Sequence, residues 1–455
     1  MRFFLVLTKI VAALALTGQA QAKVKAFRGE IVHFVADPRT AGDLAMQHFA
    51  DGLLLVDDGK VVGAGHYQDL AKDLTKATTV VDYRGRLLMP GFIDTHVHFP
   101  QTEMIAAYGE QLLQWLNNYT FPTERKYKDY AYARGQAKFF FDELLRNGTT
   151  TALIFATVHK ESTDALFDEA AARAMRVIAG KVMMDRNAPD YLIDTAKSSY
   201  DDSKALIEKW HGKGRLLYAV TPRFAPTSTP DQLAAAGRLL KEYPTVYMQT
   251  HLSENQAEVA WVKELFPERK GYLDVYDHYG LTGSRSVFAH SIYLEDTEIK
   301  RMAATQSVAS FCPTSNLFLG SGLFKLYPML DANVRVGIGT DVGAGTSFSI
   351  LQTLNEAYKI VQLQKQKLSA IQGFYLATLG GAKALSIDDK IGNFVPGKEA
   401  DFVVIDPTAT ALGKMRHENS KTMAEKLFVL MTLADDRYVQ ATYVNGTLAY
   451  DAAKK

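Results

Sequence analysis

His96 and His98 stand two residues apart in the stretch Asp94-Thr95-His96-Val97-His98, which closes an apolar run. On a strand, residues two apart face the same side, so both imidazoles can reach one metal ion. Taken alone, such a pair reads more simply as two ordinary, partly buried histidines. Three further groups reverse that balance: His251, His290 and Asp341 each close a separate apolar run. Three imidazole nitrogens and one carboxylate, leaving room for a water, describe an open catalytic zinc site. His96, His98, His251 and Asp341 are the expected ligands of one Zn2+ per chain, and His290 is left to orient the attacking water. Zinc would bring the pKa of its water to about 7, and Asp341 could also accept the proton. The plainer reading of Asp341 is a turn residue, since Val342-Gly343-Ala344-Gly345 follows it.

Glu254, three residues after His251, is open between two roles. A carboxyl beside the metal and away from bulk water can carry a proton from the attacking water to the leaving group. It can equally be a first-turn residue of the helix containing 259–265, with Ser253 and Gln256 as a capping box.

The elements that must position these groups are eight apolar runs, at 87–93, 149–155, 176–183, 216–221, 246–251, 286–290, 307–311 and 334–340, with helical stretches between them. Continuous apolar runs of this kind suit a parallel sheet buried on both faces, and eight such units close into an α/β fold, the (β/α)8 TIM barrel. Reactive residues of a barrel belong at the C-terminal ends of its strands. The five groups above fall there, as does Thr221-Pro222-Arg223-Phe224.

The two ends of the chain have a different texture. Short strands at 24–35, 52–56, 60–65 and 79–83 are punctuated by Asp57-Asp58-Gly59 and Arg84-Gly85. Strand-like 401–406 and 439–443, with Asn445-Gly446 as a hairpin turn, return near the other end. The expected organisation is therefore a leader over 1–22, a barrel over 86–385, and one small composite β-sandwich built from 23–85 and 386–455.

Bulk composition narrows the classes. A chain of 455 residues accommodates a barrel of about 250 plus an accessory domain. With 47% hydrophobic and 22% charged residues, a large core is expected and wholesale disorder is not. A net charge of +1 argues against a surface built to hold phosphates, so no nucleic-acid partner is expected. The single cysteine, Cys312, excludes an intramolecular disulfide, a four-cysteine zinc site and the two-cysteine zinc deaminase motif. Residues 1–22 carry Arg2, an apolar run interrupted by Thr8 and Lys9, and then Ala20-Gln21-Ala22, the layout of a secretory signal peptide. Export to a periplasm is the expectation, with the cytoplasm as the alternative and no stable membrane association once the leader is cut.

The stretch Pro90-Gly91-Phe92-Ile93-Asp94-Thr95-His96-Val97-His98, followed in order by His251 with Glu254, Ala289-His290 and Gly339-Thr340-Asp341, resembles the amidohydrolase superfamily. Longer stretches are similar to its guanine deaminases: Phe99-Pro100-Gln101, Tyr108 to Leu113, Trp115 to Glu124, Thr221 to Phe224, Thr250 to Asn255 and Cys312 to Asn316. The resemblance implies zinc-dependent hydrolytic deamination of guanine to xanthine and ammonia, by a homodimer. It places zinc on His96, His98, His251 and Asp341, makes Glu254 and Asp341 the proton shuttles, and has His290 line the site. Gln101, Arg223 and Phe224 become contacts of guanine, alongside His98, His251, Glu254 and Asp341. The chemistry of the first three agrees with that role. An amide and a guanidinium can donate to O6, and a phenyl ring can cover the purine face. The readings left open are a related amidohydrolase acting on another purine, nucleoside or triazine, and a barrel that kept its shape as a scaffold and lost catalysis. The leader sets this chain apart, since the resembled enzymes generally stay inside the cell.

Overall fold

A computed structural model describes residues 24–76, 78–109 and 111–454, and the leader-like segment lies outside them. The first strands are β1 (Lys25–Phe34), β2 (Met46–Asp57), β3 (Lys60–His66) and β4 (Thr79–Pro90). The barrel strands are β5 (Phe92–His98), β6 (Thr149–Phe155), β7 (Arg176–Gly180), β8 (Val182–Met183), β9 (Leu216–Pro222), β10 (Tyr247–Leu252), β11 (Ser286–His290), β12 (Val308–Phe311) and β13 (Arg335–Ile338). β14 (Phe402–Ile405), β15 (Val439–Val444) and β16 (Thr447–Asp451) complete the chain.

The barrel strands pair in parallel in the order β13-β12-β11-β10-β9-β7-β6-β5, with β8 against β9. The ring closes between its two ends through the backbone. The Asp341 N–H donates to the His96 carbonyl at 2.9 Å, and the His98 N–H donates to the Val342 carbonyl at 2.8 Å. Ile93, Leu153, Ile178, Ala219, Tyr247, Val287 and Val308, one from each of seven strands, form a buried apolar floor with Ala382, Leu385, Ile387 and Ile391 beneath. Above it the interior turns polar: Thr95 Oγ1 meets Ser310 Oγ at 2.6 Å across the barrel, and Gln249 Nε2 donates to Thr221 Oγ1 at 3.1 Å. A packed floor under a polar upper layer leaves only the C-terminal rim open for chemistry.

The termini make one seven-stranded sheet, ordered β16-β15-β14-β4-β1-β2-β3. It wraps around its own core, because Val61 of β3 exchanges hydrogen bonds with Lys398 and Gly397, just ahead of β14. Both turns expected there form, with Asp58 and Gly59, and Asn445 and Gly446, all at positive φ.

Three expectations are corrected. The run 87–93 is divided between two sheets: residues up to Pro90 finish β4, and only Phe92 onward enters the barrel. An unbroken apolar run carries no mark of the point where the chain changes sheet. Arg84-Gly85 does not end a strand; β4 continues through it with a register shift against β1, a bulge that accommodates Gly85 at φ 79°. Between β14 and β15, where more sandwich was expected, the helices Ala411–Glu418 and Met423–Leu433 intervene, the second packing against the barrel helix Ile350–Leu363.

The two parts are tied by a buried ionic network below the barrel. Glu399 accepts from Arg176 at 2.5 and 2.9 Å and from Arg215 at 3.0 Å, and Arg215 also pairs with Asp401. Removing one partner of such a network leaves its other charges desolvated and unpaired. Glu399→Ala is expected to cost about 3–5 kcal/mol of stability, measured by denaturant unfolding. Burial works to raise the Glu399 carboxyl, but the hydrogen bonds and charges of Arg176 and Arg215 hold it below the usual range. A depressed carboxyl stabilises above its unfolded pKa of about 4.3, so this contribution is present at neutral pH and lost on acidification.

Candidate active site

β5 delivers His96 and His98 to one side of the strand, and a register shift against β6 between Asp94 and Val97 aims them inward. Asp94, fully buried, accepts from the His96 N–H and from the Thr340 N–H, both at 3.1 Å, and so couples the first barrel strand to the last. Burial pushes its carboxyl up to about 7, against those hydrogen bonds. His290 ends β11 at φ 67°, and Asp341, three residues beyond β13, has φ 52°. A side chain in that region costs of order 1–3 kcal/mol unless its surroundings hold it, and here both residues are turned into the barrel mouth.

The Nε2 atoms of His96 and His251 each lie 3.2 Å from Nε2 of His98, and Asp341 Oδ1 lies 3.1 Å from His96 and 3.3 Å from His98. Ligand bonds of about 2.0–2.1 Å in a tetrahedron put neighbouring ligand atoms about 3.4 Å apart, and these four separations match that spacing. Converging nitrogen lone pairs with a carboxylate would repel one another without a cation between them. His251 donates its Nδ1–H to the Arg223 carbonyl at 2.7 Å, which frees Nε2 for a metal. Burial drives His98 down to about 3 and His251 well below its ordinary value, keeping both neutral as ligands must be. Burial would raise Asp341, but the charges and hydrogen bonds of His96 and His98 hold it well below the carboxylate range. The donor set therefore fits one divalent ion. His290 forms a second, looser set with His96, His251 and Asp341, all within 4.8 Å of one another. Its Nε2 stands 3.7 Å from Asp341 and 3.4 Å from Glu254, which suits a group beside the ion better than one on it.

Glu254 precedes the helix Gln256–Leu265 and is not a first-turn residue of it. The N-cap is Asn255, and the capping box is completed by Glu258, which corrects the expected Ser253–Gln256 pair. Glu258 accepts from the Glu254 N–H at 2.8 Å and so holds that backbone still. The Glu254 side chain points into the mouth, where Ser321 Oγ donates to Oε1 at 3.0 Å and His290 approaches Oε2. Burial, and then the neighbouring Asp341 charge, raise its carboxyl to about 8. Its protonated form is thus available at neutral pH, as a proton donor requires.

A cavity with about 390 Å³ of empty space opens on these groups, lined by His98, His251, Glu254, His290 and Asp341 together with Gln101, Arg223 and Phe224. Every residue singled out in the sequence as a site residue reaches this cavity or the ligand cluster beneath it. Arg223 is no surface ion pair: it is 2% exposed and bound to Glu124. Phe224 is buried at the cavity wall, edge-on to Trp261 at 6.3 Å.

Sequence reasoning missed the roles of seven residues. Glu124 anchors Arg223; Asn316 Oδ1 accepts from His290 Nδ1 at 2.9 Å; Ser321 holds Glu254; and Leu112, Trp115, Leu116 and Leu319 make the apolar wall. Glu124 and Asn316 lie within the family-like stretches, but nothing in their spacing names a partner.

The profile of the amidohydrolase family matches residues 87–449. Guanine deaminase of Escherichia coli (strain K12) is 58% identical over 94% of this chain and 98% of its own length. The solved structure of E. coli guanine deaminase superposes with a TM-score of 0.92, covering 94% of this chain and all of that one. Guanine deaminase from C. acetobutylicum, solved with guanine bound in its active site, is 30% identical with a TM-score of 0.85 over 94% of this chain and all of that one.

Proposed function

Since the chain belongs to the amidohydrolase family, among its guanine deaminases, and hydrolyses guanine to xanthine and ammonia, we infer that the strand-end cluster is the metal centre of that reaction. The ion is zinc in this reading, held by His96, His98, His251 and Asp341. The observation that carries it is the four separations of 3.1–3.3 Å that His98 and Asp341 make within this cluster, at the cavity that also holds Gln101, Arg223, Phe224 and Glu254.

Bound there, the ion would lower the pKa of its water from 15.7 to about 7. The chain's own residues do the rest. Gln101 and Arg223 donate to O6 and Phe224 stacks on the purine, which turns C2 toward the ligand cluster. Glu254 gives its proton to the ring nitrogen beside C2 as the water oxygen adds to that carbon. Asp341 takes the proton of the attacking water, and His290, oriented by Asn316, hydrogen-bonds the new oxygen. Glu254 takes up the proton of the new hydroxyl and passes it to the amino group, the C2–N bond breaks, ammonia leaves xanthine behind, and the proton held by Asp341 restores Glu254. Zinc content by elemental analysis, with xanthine and ammonia formation from guanine, tests this assignment.

Donors that expect O6 are left unpaired by a base without it. Adenine lacks both O6 and an amino group at C2, so it is expected to be a poor substrate in an ammonia-release assay over a panel of purines. Comparable rates on adenine and guanine would overturn the pose in which C2 faces the ligand cluster. A homodimer and export of the chain belong to the same proposal, resting on family habit and on residues 1–22. Sedimentation of the purified protein and N-terminal sequencing of the natural one test them.

A further inference from the structure

Glu124 ends the short helix Phe121–Glu124 and is fully buried. Its two oxygens accept from Arg223 Nη1 at 2.9 Å each, and Oε1 also faces Gln101 Nε2 at 3.4 Å. On the other side of that amide, the Gly343 N–H donates to Gln101 Oε1 at 3.2 Å. A β-carbon at position 343 would come within 2.5 Å of the Gln101 carbonyl, so this close approach needs glycine.

An amide held between an acceptor-only carboxylate and a backbone N–H has one orientation. Turned over, it would set oxygen against carboxylate and NH2 against N–H. We propose that Glu124 is a positioning residue that decides selectivity at purine C6, by fixing both Gln101 and Arg223 as hydrogen-bond donors toward the base. This rests on the reading of Gln101 and Arg223 as the O6 contacts. The consequence is a wall that offers hydrogens and no acceptor. A carbonyl at C6 accepts them; an amino group there meets donor with donor. The mechanism does not otherwise use Glu124, and no solvent reaches it to explain a charge at that depth.

The test compares guanine with 2,6-diaminopurine, which keeps the reacting C2 amino group, replaces the C6 carbonyl by an amino group and thereby takes the hydrogen from N1. Metal-loaded wild type, Glu124→Gln and Glu124→Asp are measured for kcat and KM on guanine, and for turnover or competitive inhibition by 2,6-diaminopurine. Glu124→Gln removes the obligatory acceptor and is expected to narrow the preference for guanine by about tenfold or more, with the loss falling on KM. Glu124→Asp keeps the charge but withdraws it from one partner, and is expected to narrow the preference less. It serves on its own if the Gln variant does not fold. Equal losses on both bases, with the preference unchanged, would overturn the proposal and leave Glu124 a packing residue. Gln101→Ala and Arg223→Lys separate the two layers: if neither alters the preference, the O6 assignment itself is wrong. If they alter it and the Glu124 variants do not, only the role of Glu124 is wrong.

Discussion

Glu254→Gln is expected to lower kcat on guanine by about 10²–10⁴-fold, the usual contribution of a placed acid–base group, while the chain keeps its full metal content. The amide matches the carboxyl in size and can still accept from Ser321, so fold and cavity should survive. It has no proton to deliver to the ring nitrogen and none to return to the departing amine. Glu254 is not among the four closely spaced ligand atoms, which is why metal and activity should separate in this variant. Stopped assays of xanthine formation, with elemental analysis of the same sample, give both readouts. Activity near that of the wild type would remove Glu254 from the proton path, and loss of the metal along with activity would make it a ligand.

Stripping the metal with a chelator should take turnover below detection, and added Zn2+ should restore it. Without the ion, the water at the site keeps a pKa near 15.7 and supplies negligible hydroxide at neutral pH. Asp341, held well below the carboxylate range, is too weak a base to activate such a water by itself. Stability should fall as well, because an ion that binds only the folded chain stabilises it by about 4 kcal/mol at a thousand times its Kd. Thermal melts with and without chelator read this directly. His98→Ala should reproduce both effects and resist rescue, since His98 Nε2 contacts His96, His251 and Asp341 at once. Full turnover in the chelated protein would end the metal reading.

Much of this architecture is legible in the amino-acid order, and for local reasons. The runs 149–155 and 286–290 coincide with β6 and β11, because strands buried on both faces leave an unbroken apolar signature. His96 and His98 fall on one side of β5 because a strand repeats every two residues. The helix after β10 forms as expected, but its cap lies two residues later than the sequence suggests. Ser253 is as good a capping residue as Asn255 by type, but it sits at φ 49°, outside the extended backbone that an N-cap adopts, whereas Asn255 is extended and Glu258 returns its bond.

By itself, then, the amino-acid order determined the eight-strand barrel, the rim on which the candidate site residues gather and the enzyme family those motifs resemble. Each depends on periodicity or on residues close along the chain. Only the tertiary structure decided that Arg223 is clamped by Glu124, 99 positions away, that Gly343 pins Gln101 from 242 positions away, and that Asp94 ties Thr340 to β5 across 246. It also decided that residues 87–93 serve two sheets. Such contacts exist only once β5 and β13 meet and the ring closes, and no spacing along the chain encodes which polar groups that closure brings together.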